Sequence, residues 1–168
     1  MIPPRGEFIR AMRGVASSVS VVTTDGAAGR HGATVSAFCS VSADPPSVLI
    51  CLRTQSRIAR TVLANRAFCV NVLRASAKDV ADRFAGCHDE GVRDRFAGLI
   101  VEAGTTALPV LSAAASVFAC ALTEAIPSGS HLVLIGRVEE VWRHDEQPLT
   151  YIDGGYASLS HQHAAGQR

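Results

Sequence analysis

Hydroxyl side chains recur at even-numbered positions within residues 32–52. The hydroxyl-bearing residues before the turn in this segment are Thr34, Ser36, Ser40 and Ser42. Because successive side chains of a strand point to opposite faces, we expect these hydroxyls on one face, with Val35 and Ala37 on the other. An Asp-Pro-Pro turn at residues 44–46 then separates this strand from a second one. So many hydroxyls on one face favour a polar ligand.

A second group of polar residues surrounds the predicted start of a helix within residues 54–65. Ser56 is the expected N-cap of this helix, and Arg53 and Arg57 stand on either side of it. Helix-terminal amides, a hydroxyl and guanidinium groups together can hold a phosphate. The alternative is that Ser56 only caps the helix and that both arginines are solvated.

The elements that must position these residues are mostly strands. Strands are predicted at residues 19–24, 48–52, 68–73, 117–126 and 132–142, and helices from Phe8, at 54–65, at 78–85 and, as a short turn, around 92–96. Many strands with few short helices favour a small antiparallel barrel decorated by helices. No linker or low-complexity tract divides the chain, so a single domain over residues 1–168 is expected.

Composition excludes several classes of partner. The 168 residues carry a net charge of +1, which gives no electrostatic reason to expect a nucleic acid or an anionic membrane. No apolar run approaches the roughly 18–20 residues needed to span a bilayer. The N-terminus also lacks a signal-peptide pattern, so a cytoplasmic location is expected. The five cysteines have wide spacings without a C-x-x-C, and are expected to be free core thiols.

Motifs for other chemistries are absent from the sequence. It contains no G-x-G-x-x-G, no G-x-S-x-G and no H-E-x-x-H. The only lysine, Lys78, follows Ala77, which excludes a Walker A loop. His161 and His163 form an H-x-H in a polar tail, where we expect them to be solvent-exposed rather than to bind metal.

A series of motifs resembles, in chain order, the short-chain flavin reductases that serve as reductase components of two-component flavin monooxygenases. The matching segments are residues 7–12, 19–26, 32–37, 40–42, 44–46, 49–52, 71–73, 81–85 and 129–131, with Gly136, Tyr151, Gly154 and Tyr156. Together they span roughly residues 7–159, leaving a polar tail at 160–168. The resemblance implies a mainly β fold: an FMN-binding split barrel of six or seven antiparallel strands in a Greek key, with short flanking helices. It also implies a homodimer.

The resemblance also implies roles for individual residues. Those expected to contact the flavin phosphate and ribityl chain are Thr34, Ser36, Ala37 and Ser56, with Val35 also in the cofactor-binding strand. Those expected to line the isoalloxazine are Ser40, Cys51, Leu52 and Arg53. Asn71, Arg83 and Phe84 are expected near the outer part of the cofactor or its adenine. His131 and Tyr156 are expected on the nicotinamide side.

The implied activity is reduction of FAD or FMN by NADH or NADPH, with direct hydride transfer from nicotinamide C4 to flavin N5 and delivery of reduced flavin to a separate monooxygenase. His131 would orient the nicotinamide or assist protonation near flavin N1. Ser130 and Asp153 depart from residues common in the family near the nicotinamide, so the choice between NADH and NADPH stays open. The first guess is NADH.

Structural alternatives remain for several of these residues. Cys51 is equally understood as a core thiol, Phe84 as a packing residue, Asn71 as bonded to neighbouring backbone, and His131 as a hydrogen-bonded hairpin residue. The alternative function is a non-catalytic flavin- or haem-binding split-barrel protein. A pyridoxamine-phosphate oxidase-like enzyme is disfavoured by the hydroxyl-bearing strand and the Pro-Pro turn.

Overall fold

A computed structural model describes residues 2–87 and 94–159 of the chain. The helices are α1 (Arg5–Arg13), α2 (Arg57–Asn65) and α3 (Lys78–Ala85). The strands are β1 (Ser17–Ser18), β2 (Ser20–Thr24), β3 (His31–Val35), β4 (Phe38–Ala43), β5 (Pro46–Arg53), β6 (Ala67–Leu73), β7 (Val101–Ala103), β8 (Pro109–Leu111), β9 (Ala114–Ser128), β10 (His131–Arg143), β11 (Thr150–Ile152) and β12 (Gly155–Ala157). Within the described residues, no helix has the length and apolar character needed to cross a bilayer.

Seven strands form one antiparallel sheet in the order β3-β2-β6-β9-β10-β5-β4. The strands at the two edges of this sheet, β3 and β4, are consecutive in the chain and are joined by Ser36 and Ala37. The sheet therefore curls until its edges approach, which brings β3 into contact with β5, the neighbour of β4. The backbone amide of Cys51 donates to the carbonyl of Ala37 at 3.2 Å, which extends the pairing of β4 with β5 into the β3–β4 junction. This confirms the predicted mainly β fold with a seven-stranded antiparallel barrel.

The interior of the barrel is filled by side chains that alternate along its strands. Phe68, Ile50 and Leu134 are fully buried there and pack with Ile58 and Val62 of α2. Alternation along a strand places every second residue on this inner face. Helix α2 is thus held by its apolar side, and its first turn is fixed relative to β5.

A second core lies on the outer side of β2 and β6. Val21 points to this side, where it packs with Leu73, Leu111 and the buried face of α3. Since β2 is covered on both faces, all five of its residues are buried. This second core fixes α3 beside β3, and the residues of α3 and β3 line the cavities described below.

The prediction that the hydroxyls of residues 34–42 share one face of a strand is wrong. The chain bends at Ser36, so Thr34 belongs to β3, whereas Ser40 and Ser42 belong to β4 at the other edge of the sheet. A register shift between Ser40 and Ser42 disturbs the alternation further. These hydroxyls therefore do not share a face, because the segment forms two strands and not one.

Other predictions are corrected or lie outside the described residues. Cys69 and Cys120 are buried, but Cys39 and Cys87 are exposed and Cys51 is half-buried, so the expectation of core thiols holds for only part of the set. The predicted short helix at 92–96 is described only from Asp94 onward, where the chain forms a turn. His161 and His163 lie outside the described residues.

Candidate functional site

A cavity of about 450 Å³ opens where the two edges of the barrel meet. It brings together most of the residues predicted to bind cofactor: Thr34, Val35, Ser36, Ala37, Cys51, Leu52, Arg53, Ser56, Phe84 and His131. These residues come from β3, the β3–β4 junction, β5, the start of α2, α3 and β10. We call this the first cavity. Its volume lies within the range of about 300–1,000 Å³ found for small-molecule sites.

One wall of the first cavity is formed by β3 against α3. The hydroxyl of Thr34 donates to the carbonyl of Ala81 at 2.7 Å, which joins the two elements. Gly32 permits their close approach, since a Cβ there would lie 2.6 Å from Cε1 of Phe84. Because Thr34 uses its hydroxyl hydrogen within the protein, it contributes to the cavity chiefly as a fixed wall. The Ser36 hydroxyl has no partner among the described residues and remains available to a ligand.

The start of α2 forms the phosphate-sized end of the first cavity. The Ser56 hydroxyl accepts from the backbone amide of Ala59 at 3.3 Å and donates to the carbonyl of Arg53 at 2.7 Å. Ser56 therefore caps the helix, as predicted. The first amides of a helix have no acceptor within it, and they carry the positive end of the helix dipole. This end of the cavity suits an anion.

Arg53 and His131 lie directly opposite each other on the antiparallel strands β5 and β10. Nδ1 of His131 lies 2.9 Å from the hydroxyl of Ser130, which restrains the imidazole ring. The backbone amide of Thr54 donates to the Ser130 carbonyl at 3.1 Å and ties the hairpin to the chain leading into α2. A cation and an imidazole thus lie side by side at one end of the two strands.

Arg95 also lines the first cavity and was not among the residues predicted from the sequence. Its Nη1 donates to the carbonyl of Phe84 at 2.9 Å and to that of Gly32 at 3.5 Å. A signal was available, because the pentapeptide D-R-F-A-G occurs twice, at residues 82–86 and 94–98. Arg83 of the first copy was predicted to contact the cofactor, whereas the structure places Arg95 of the second copy in the cavity.

The lining of the first cavity combines basic, polar and apolar residues. It includes Arg53 and Arg95 but no carboxylate among the described residues. Leu52, Ile58 and Phe84 supply apolar surface. Burial, together with the nearby thiol of Cys39, raises the pKa of the Cys51 thiol, so this wall is neutral and not nucleophilic. A planar ring system with an anionic tail, such as a flavin mononucleotide, fits this set of groups.

A second cavity of about 510 Å³ adjoins the first and shares the Thr34–Ser36 strand end with it. Its other walls come from α3 and the β11–β12 hairpin, including Asp82, Tyr151 and Tyr156. The Tyr156 hydroxyl donates to Oδ1 of Asp82 at 2.7 Å. Burial and this carboxylate raise the pKa of Tyr156, which keeps the phenol protonated. Tyr156 thus lies beside the first cavity and not in it.

Three predicted residues lie away from both cavities. Asn71 is fully buried; its amide donates to the Val21 carbonyl and the Thr23 hydroxyl, each at 3.1 Å, and accepts from the Leu111 amide at 2.8 Å. It therefore binds neighbouring strands and not a cofactor, so the prediction is wrong. Arg83 donates to the Ala97 carbonyl at 2.8 Å, and Ser40 is exposed on the edge strand β4. Neither is part of the described lining of these two cavities.

Comparison with known proteins gives a consistent match. The profile of the flavin reductase like domain matches residues 12–160. The protein named FMN reductase (NADH) RutF from Enterobacter cloacae is 36% identical over 158 residues, which is 94% of this chain and 95% of that protein.

Two solved structures show the same fold. One is the NADH:FAD oxidoreductase SgcE6 of Streptomyces globisporus in complex with NAD and FAD fragments, with a TM-score of 0.85 and 26% identity over 95% of this chain and 96% of that one. The other is BorF, the flavin reductase component of a bacterial two-component tryptophan halogenase, with a TM-score of 0.83 and 30% identity over 94% and 99% of the two chains. The profile match extends over most of the chain, and this protein therefore belongs to the flavin reductase-like domain family, as its motifs indicated.

Proposed function

We propose that this protein is an NADH-dependent flavin reductase that reduces FAD or FMN in the first cavity. The observation that carries the proposal is the combination, in one cavity, of two arginines, the start of α2 and apolar side chains. The similarity to FMN reductase (NADH) RutF, over nearly the full length of both chains, supports it independently.

The residues at the two ends of the first cavity have different tasks in this proposal. Arg53, Arg95 and the first amides of α2 bind the phosphate of the flavin. Leu52, Cys51 and the β3–β4 junction at Ser36 contact its ring and exclude water from one side. When bound, the flavin supplies the chemistry, since it accepts a hydride at N5 directly from nicotinamide C4. The protein contributes by holding both rings in contact and in register.

His131 is proposed to orient the nicotinamide or to hold a proton near N1 of the flavin. Its position at the end of β10, beside the cavity and opposite Arg53, supports this role. The contact between its Nδ1 and the Ser130 hydroxyl limits rotation of the imidazole ring. No other titratable side chain of the described first cavity besides the two arginines and Cys51 competes for the role.

The proposal includes delivery of reduced flavin to a separate flavin-dependent monooxygenase. BorF is named as one component of a two-component system, and nitrilotriacetate monooxygenase component B from Mycobacterium thermoresistibile is a structural neighbour as well. A flavin that leaves after reduction requires a shallow site. Ser36, Ala37 and Arg53 of the first cavity are exposed at the protein surface, which suits an exchanging flavin.

A homodimer is proposed on the outer face of β5, β10 and β9. Cys51, Val133 and Ile126 are register partners across these three strands, so their side chains lie in one row on the outer face. Ile126 is 45% exposed, and Val41 on the neighbouring edge is 48% exposed. An apolar face of this kind favours covering by a second copy, and its row begins at Cys51 on the wall of the first cavity.

The proposal is tested by following oxidation of NADH and NADPH with FAD, FMN or riboflavin added and without added flavin. Flavin-dependent oxidation of NADH is the expected result. Flavin binding without loss of NADH or NADPH would contradict the reductase activity and favour the alternative, a non-catalytic flavin-binding protein. Size-exclusion chromatography with light scattering on the same preparation, with Ile126→Glu as the disrupting variant, tests the dimer.

A further inference from the structure

The second cavity differs from the first in charge, although the two adjoin. The described lining of the first cavity has two arginines and no carboxylate. The described lining of the second cavity has one carboxylate, that of Asp82, and no lysine or arginine. The Thr34–Ser36 strand end separates a basic cavity from an acidic one. A ligand that reaches both cavities must place its phosphates in the first and an uncharged part in the second.

Aromatic rings line the acidic cavity. Tyr151 and Tyr156 pack edge to face with centroids 5.5 Å apart. Gly154 and Gly155 leave the cavity open beside the rings, and a Cβ on Gly154 would meet no atom within 4 Å. Planar bases stack readily on such rings. The geometry therefore suits a base and its sugar.

Tyr156 and Lys78 both hold the Asp82 carboxylate in place. Its Oδ1 accepts the hydrogen bond of Tyr156 at 2.7 Å, and its Oδ2 accepts that of Lys78, one helical turn earlier. The Asp82 side chain is 20% exposed, whereas that of Lys78 is 62% exposed and lies over the outer part of the Tyr156 ring, 5.2 Å from its centroid. The carboxylate thus borders the cavity, while its cationic partner lies towards solvent.

We propose that the second cavity binds the adenosine half of the nicotinamide dinucleotide and that Asp82 makes the enzyme select NADH over NADPH. A carboxylate accepts hydrogen bonds from the hydroxyls of an unmodified adenosine ribose, and it repels the phosphate that NADPH carries at the 2′ position. The inference rests on the proposed reductase function, and it adds a binding site and a residue that determines specificity.

The test measures kcat/KM for NADH and for NADPH with FMN as the flavin acceptor, because FMN has no adenosine to compete for the second cavity. Asp82→Asn keeps the size of the side chain and its acceptor oxygen for Tyr156 but removes the charge. It also releases Lys78, whose ammonium is then available to a 2′-phosphate. The ratio of kcat/KM for NADPH over NADH is expected to rise by about tenfold. The matched control is Asp79→Asn, an exposed position on the same helix, which should leave the ratio unchanged.

The outcomes separate this inference from the proposed function. A ratio in Asp82→Asn within twofold of the wild-type value would overturn the inference, while flavin-dependent oxidation of NADH would still support the reductase. A change in KM for FAD relative to FMN with an unaltered NADPH:NADH ratio would also overturn it, since the cavity would then hold the adenosine of FAD. Oxidation of neither nucleotide by the wild-type protein would overturn the proposed function itself. The KM for FMN, unchanged in Asp82→Asn, shows that the variant is folded.

Discussion

Phe84 and Phe96 pack edge to face, with ring centroids 5.0 Å apart and an interplanar angle of 77°. They occupy the same position in the two D-R-F-A-G copies, and the arginines of the copies exchange contacts. Arg83 donates to the Ala97 carbonyl in the second copy, and Arg95 donates to the Phe84 carbonyl in the first. The two copies, residues 82–86 and 94–98, thus bind each other beside β3, and we call this pair of segments the clasp. One of its two arginines reaches the first cavity and the other does not.

Replacing Arg95 by glutamine is expected to weaken FMN binding without affecting riboflavin. The lost charge-assisted contact to phosphate corresponds to about 1.5–3 kcal/mol, or roughly ten- to a hundredfold in KM for FMN. Riboflavin lacks the phosphate, so the ratio of the two KM values isolates the contact. Arg143→Gln, at the far end of β10, serves as control. Equal losses with both flavins would place Arg95 in the scaffold and not at the phosphate.

Gly32 is expected to tolerate no side chain. A Cβ at this position would lie 2.6 Å from Phe84 and 3.2 Å from Phe96, inside the clasp. Gly32→Ala should therefore lower the free energy of unfolding by about 1–3 kcal/mol, the usual cost of overpacking. The measurement is urea unfolding followed by circular dichroism. Gly6→Ala in α1, where a Cβ would meet no atom within 4 Å, should be neutral or slightly stabilising.

His131→Gln is expected to lower kcat while KM for the flavin stays within about twofold of the wild-type value. The reason is that the imidazole is proposed to act on the nicotinamide or near flavin N1, whereas the charges of the arginines and the start of α2 hold the phosphate. Steady-state kinetics with FMN and NADH test this. His144→Gln, just beyond the opposite end of the same strand, is the control. Full turnover by His131→Gln would leave the histidine as a hydrogen-bonded hairpin residue.

Much of this fold followed from local sequence pattern. Helix α3 was predicted with its observed bounds, and β6 and β10 within two residues, because their apolar residues recur at the spacing of the element. The bend at Ser36 could not be predicted in this way. Polar and apolar residues alternate over most of residues 32–42, with Phe38 as an exception, and pairing with β2 on one side and β5 on the other divides the segment into two strands.

The site was less predictable than the fold. Asn71 is a polar residue of the kind that often binds ligands. The hydrogen bonds of its side-chain amide are instead made to β2 and β8, which are distant from it in sequence. Arg95 shows the converse case. Its local sequence equals that of Arg83, and only tertiary packing decides which of the two lines the first cavity.

Ser56 is expected to affect both stability and flavin binding, and two substitutions separate these effects. Ser56→Ala removes the cap bond to the Ala59 amide and should destabilise the protein by about 1 kcal/mol. Ser56→Asp retains a capping oxygen, but its charge repels a phosphate at the start of α2, so KM for FMN should rise without loss of stability. Ser36→Ala, which removes no cap, should raise KM for the flavin alone. Unchanged KM values in Ser56→Asp and Ser36→Ala would contradict the placement of the flavin.

Tyr156 gives the protein a distinct dependence of stability on alkaline pH. Burial, and then its hydrogen bond to Asp82, raise its pKa above the unfolded value of about 10. The folded state therefore holds the phenolic proton more strongly than the unfolded state does. This contribution to stability is complete below pH 10 and is lost as the pH rises from there towards the folded pKa.

Tyr156→Phe should accordingly be less stable than the wild type by about 1 kcal/mol at neutral pH, and the difference should shrink above pH 10. Burial also raises the pKa of Cys69 and Cys120 to about 12, so both proteins lose stability in alkali. Because those thiols are common to both, the difference between the two unfolding curves isolates Tyr156. Tyr151→Phe, on the paired strand, should retain the wild-type profile. A constant difference between Tyr156→Phe and wild type from pH 7 to 11 would show that the hydroxyl makes no bond to Asp82 in solution, and Asp82 would then lose the contact that orients it in the second cavity.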